Sequence, residues 1–79
     1  MLNNAAGKWQ TVSCSAGDTT ATFTGDTFDN SYTYDVYTDD GTGEPIAISK
    51  IEVNANDQAV VTFANALANA TSVRLHYWT

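Results

Sequence analysis

Residues 31–38 read SYTYDVYT, and their alternation decides the fold class. Tyr32, Tyr34 and Val36 fall on one side of an extended chain; Thr33, Asp35 and Tyr37 fall on the other. β-branched and aromatic residues with a period of two predict a half-buried strand. We read it as the central strand of a small all-β domain.

The flanking sequence repeats the pattern in shorter pieces. Residues 8–13 (KWQTVS) give a first strand, with Gln10 and Val12 opposite Trp9 and Thr11. Residues 15–18 turn at Ala16-Gly17. Residues 19–24 set Ala21 and Phe23 against a row of threonines, which suits a solvated strand face. Residues 25–31 (GDTFDNS) are a turn-rich connection in which Phe28 is expected to plug the end of the core.

Residues 39–45 (DDGTGEP) are a loop by their glycines and proline. Ile46 and Ile48 share one parity, Ile51 and Val53 the other. One strand holds all four on a face only with a bulge near Ser49-Lys50; otherwise two short strands meet there. We take the two-strand reading, with the chain changing edge or sheet. Residues 54–57 (NAND) turn. Residues 58–64 form the next strand, with Ala59, Val61 and Phe63 on one face. The Ala-rich residues 64–71 are expected to make one helical turn with Leu67 dipping into the core. In the last strand, residues 72–78, Val73, Leu75 and Tyr77 face inward, and Arg74, His76 and Trp78 face outward.

Six or seven short antiparallel strands with turns between them predict an immunoglobulin-like or fibronectin-type-III-like sandwich. The Cys–Trp–Cys arrangement of antibody domains is absent. Residues 8–79 make one domain. Residues 1–7 lack periodicity and read as a flexible N-terminal arm with an apolar tip at Leu2. That arm is either a disordered terminus or one that orders against a neighbouring subunit.

With 79 residues, the domain buries only about 60% of its unfolded surface and needs a staple or a partner. Cys14 stands alone, so no internal disulfide forms, and it reads as a small buried or half-buried strand residue. His76 is the single histidine, so a Cys/His zinc site is excluded by count. Oligomerisation or docking on a larger assembly is the expected source of extra stability. The net charge is −6, and the cations are Lys8, Lys50 and Arg74. Nucleic acid and anionic membrane both call for clustered cations, so neither is an expected partner. No apolar run reaches the roughly 20 residues of a membrane span. The beginning of the sequence lacks a basic segment followed by a long apolar one, so a cytosolically made, soluble protein is expected.

Asp39, Asp40 and Glu44 make the best oxygen-rich loop, yet they lack the alternating ligand spacing of an EF-hand and read as an acidic hairpin. Asp26, Asp29 and Asn30 form a weaker cluster. No metal and no cofactor is expected. Ser-His-Asp chemistry would have to use His76, and no nucleophile elbow accompanies it; an enzyme is not expected. The aromatics on polar faces, Tyr37, His76, Trp78 and Trp9, say more. They cover the sheet edge of their own chain, meet another protein, or stack on sugars. With Leu2 they are the candidate partner contacts. Asn69-Ala70-Thr71 matches the glycosylation pattern and carries no weight without a secretory signal.

The succession DTTATFTGDTF (18–28), SYTYDVYTDDGTGEP (31–45), QAVVTFANAL (58–67) and SVRLHYW (72–78) resembles the small β-sandwich modules of bacteriophage virions. Such modules occur in capsid decoration proteins, head fibres and tail-fibre tips. The resemblance implies a virion protein that docks on capsid or another virion component in many copies, without catalysis. No binding residue carries over from it. The alternative is a carbohydrate- or receptor-binding module using Tyr37, His76 and Trp78.

Overall fold

The computed structural model describes residues 7–39 and 43–78. Leu2, Asp40 and residues 1–6 of the expected arm lie outside the described residues. Six strands form, β1 (Lys8–Cys14), β2 (Thr20–Phe23), β3 (Thr33–Thr38), β4 (Ile48–Val53), β5 (Ala59–Phe63) and β6 (Thr71–Trp78). They make two three-stranded antiparallel sheets, a front sheet ordered β1-β6-β3 and a back sheet ordered β2-β5-β4. Apart from the β4–β5 turn, every connection passes from one sheet to the other. This is a small β-sandwich of the expected all-β class.

Alternation puts the core between the sheets. The front sheet contributes Cys14, Val36, Val73, Leu75 and Tyr77; the back sheet contributes Ala21, Phe23, Ala59, Val61 and Phe63. Phe28 closes one end at 2% exposure, with its ring 4.8 Å from that of Tyr77. Leu67 packs against this cluster, and Tyr32 and Tyr34 do so as half-buried rings. Burying these apolar faces is the main favourable term of folding, at about 25 cal/mol per Å².

Three expectations are corrected. The strand of residues 31–38 keeps its predicted parity but lies at the edge of the front sheet; β6 is the central one. Length explains this, since the eight residues of β6 pair along β1 on one side and β3 on the other. Residues 48–53 are one strand, not two, with the register shift between Ile48 and Lys50 that a bulge produces. The change of sheet occurs just before it. Ile46 N–H donates to Val36 C=O at 3.1 Å in the front sheet, and Ala47 C=O accepts from Ala64 N–H at 3.0 Å beside the back sheet. Residues 64–70 contain bends and no helical turn. Their tie is the pair of backbone bonds between Leu67 and Gly17–Asp18 (2.7 and 3.0 Å), which replaces a helix's internal bonds. No helix among the described residues is long and apolar enough to cross a membrane.

Candidate functional site

The outer face of the front sheet gathers most of the sequence-predicted contacts. Alternation turns Trp9 and Thr11 of β1, Arg74, His76 and Trp78 of β6, and Thr33, Asp35 and Tyr37 of β3 away from the core. Register then sets them in cross-strand rows. Trp9, His76 and Asp35 share one row; Thr11, Arg74 and Tyr37 share the next; Trp78 and Thr33 share a third.

The centre of this face is an aromatic stack. The Trp9 indole lies on the His76 imidazole with centroids 4.0 Å apart and planes 14° from parallel. Trp78 flanks the same imidazole at 4.6 Å and 36°. The Arg74 guanidinium carbon sits 3.9 Å from the centre of the Trp9 ring, within cation–π range. Among the described residues Trp9 is the large hydrophobic side chain left exposed, at 50%.

His76 therefore differs from its expected state. It lies on the outer face as alternation requires, yet it is only 8% exposed because Trp9 and Trp78 enclose it. Its Nε2 is buried and has no hydrogen-bond partner among the described residues. Tyr37 and Trp78 are half-buried. The Tyr37 hydroxyl donates to Asp35 at 3.3 Å; burial, and then the Asp35 charge, push its pKa up. The Thr11 hydroxyl donates to Asp39 at 3.3 Å.

Arg74 and Asp35 belong to this face and were not among the candidate contacts. Parity already placed Arg74 beside His76 and Trp78. Its partner Trp9 comes from the other end of the chain, and only the β1–β6 register brings the two together.

The second oxygen-rich cluster does a structural job. Lys8 Nζ donates to Asp26 at 3.2 Å, and the Tyr77 hydroxyl donates to the same carboxylate oxygen at 2.9 Å. Gln10 Nε2 donates to the Tyr77 hydroxyl at 3.1 Å, while Gln10 Oε1 accepts from Gly25 N–H at 3.0 Å. This clamp ties β1, β6 and the β2–β3 connection at one end of the sandwich. The Thr27 N–H, the Tyr77 hydroxyl and Lys8 hold the Asp26 carboxyl below the usual carboxylate range. Asp29 accepts from Ser31 N–H at 2.8 Å. Among the described residues no group of three or more His, Cys, Asp or Glu side chains is placed to hold a metal ion. Cys14 is buried, and burial raises its thiol pKa, with Asp18 adding to the effect.

In comparisons with known proteins, no family model, curated protein or solved structure matches this chain.

Proposed function

We propose that this chain is a non-enzymatic structural protein of a bacteriophage virion, of the capsid-decoration or fibre type, which docks on the particle through the outer face of its front sheet. The docking half of this reading is carried by Trp9. Half its surface faces water, yet the ring is held flat on His76 beside Arg74. Trp and Arg are both enriched at interface hot spots, and a ring already held in place has little side-chain entropy left to lose on binding. The virion half rests on the strand succession that resembles phage sandwich modules. The enclosure of His76 supports a non-catalytic role, since a general base must reach the proton that it takes.

The test is co-sedimentation of the purified chain with phage heads stripped of their accessory proteins. Wild type should pellet with the heads, and folded Trp9→Ala should remain in the supernatant. Wild type that stays in the supernatant would remove the virion reading.

A carbohydrate- or receptor-binding module is the second reading. The Tyr37–Asp35 hydrogen-bonding pair, one strand away from the His76 stack, favours it, because sugar recognition combines an aromatic plane with adjacent polar groups. Binding on a glycan array that Trp9→Ala abolishes, with no co-sedimentation, would select it.

A further inference from the structure

β1 is an edge strand, and the direction of its free backbone groups follows from the far side of the sheet. Val36 C=O accepts from Ile46 N–H, and Thr38 N–H donates to Glu44 C=O at 2.8 Å, so these residues of β3 point away from β6. Thr33, Asp35 and Tyr37 therefore make the hydrogen-bonded pairs with Trp78, His76 and Arg74. β6 then turns Val73, Leu75 and Tyr77 toward β1, onto Val12, Gln10 and Lys8. The backbone N–H and C=O groups of Trp9, Thr11 and Ser13 are left pointing outward. Among the described residues no backbone group meets them there.

The other edges are guarded. β2 is four residues long. β3 is capped by residues 44–46. β4 carries a register shift together with Lys50 and Glu52. Among the described residues β1 has no cover, and its guard is limited to the charge at one end. It pairs without a shift from Lys8 to Cys14, holds no proline, and bears one charge, at Lys8. Proteins blunt sheet edges by short strands, charges, bulges or covers, so an unguarded regular edge is a pairing site.

We infer that this edge is a self-association site whose occupant is β1 of a second copy, antiparallel about a two-fold axis at Thr11. The strand is self-complementary in that register. Trp9 meets Ser13, Thr11 meets Thr11 and Ser13 meets Trp9, each pair exchanging two hydrogen bonds through the groups now free. Charge selects the seam. Two chains of net charge −6 repel over most of their surfaces, but β1 contains no acid and Lys8 would face Cys14. The nearby carboxylates Asp26 and Asp39 are held by Lys8 and Thr11. The two front sheets would join as one, leaving both Trp9 stacks on its outer face. The inference goes beyond the docking reading, since it uses the edge of the sheet and not the face.

Sedimentation equilibrium tests it, with Thr11→Pro as the variant. Thr11 N–H points away from β6, so proline there removes no backbone bond of the fold, only the exposed side-chain bond to Asp39, and blocks the seam. Thr11→Lys, which sets like charges face to face across the axis, is the second variant should the proline variant fail to fold. Wild type should reach twice the 8.5 kDa chain mass as concentration rises into the millimolar range. The folded variant should stay at the single-chain mass, and the Trp9, Thr11 and Ser13 amides should exchange more slowly in the wild-type dimer alone. A single-chain mass throughout, a dimer that survives substitution, or protection of those amides in the monomer (an edge covered by residues 1–6) would overturn it.

Discussion

Tyr77 takes part in both the core and the polar clamp. Its ring packs against Phe28, Tyr32 and Tyr34, and its hydroxyl links Gln10 to Asp26. Removing the ring should cost about 3–5 kcal/mol, as for other large buried aromatics. Tyr77→Phe keeps the ring and should cost about 1–2 kcal/mol in urea unfolding, since Gln10 and Asp26 each lose a partner. Asp26 gives the clamp a pH dependence. Its folded-state pKa is depressed, so its contribution is fully present above the ordinary carboxylate value and is lost as pH falls through the folded value. The urea midpoint should therefore drop on acidification, and Asp26→Asn should flatten that drop. His76 gives the opposite kind of prediction. His76→Phe preserves an aromatic ring under Trp9 while removing a buried, unpartnered nitrogen, so stability should hold or rise by up to about 1 kcal/mol. A loss above that would mean that Nε2 has a partner.

At the scale of elements, β6 organises the molecule. Leu75 is fully buried on it, and Leu75→Ala should lower the unfolding free energy by about 2–5 kcal/mol. The β4–β5 turn offers a more local test. Asp57 holds φ at 60°, where a β-branched side chain is strained, so Asp57→Val should cost about 1–2 kcal/mol. Which faces are buried was legible in the chain, because alternation is a local property. Ala21 with Phe23, Ala59 with Val61 and Phe63, and Val73 with Leu75 and Tyr77 all point where their parity requires. Which strand is central was not legible. Residues 31–38 have the more aromatic sequence, but pairing between ends of the chain gives β6 two neighbours. The bulge at Ile48/Lys50 was one of two resolutions of a real parity conflict, and only pairing with β5 decides it. The Ala-rich residues 64–70 have helical propensity but too few residues to nucleate a helix. The candidate face was half legible. Parity exposed Arg74, His76 and Trp78 together, whereas the enclosure of His76 depends on Trp9 arriving from β1.

At the scale of the whole molecule, the sandwich packs its apolar residues into a core between two short sheets, and among the described residues it leaves the Trp9 indole as the exposed large hydrophobic group. That distribution separates a surface made for a partner from a lid made for the fold. A half-exposed ring stacked on an imidazole and a guanidinium should contribute about 1–2 kcal/mol to the isolated chain. A ring serving as a structural lid should contribute the 3–5 kcal/mol typical of buried aromatics. The most direct measurement is equilibrium urea unfolding of Trp9→Ala beside wild type. If the outer face of the front sheet is a docking surface, the variant loses about 1–2 kcal/mol with an unchanged denaturant slope. A loss of 3 kcal/mol or more, or an unfolded chain, would contradict it and make Trp9 part of the fold.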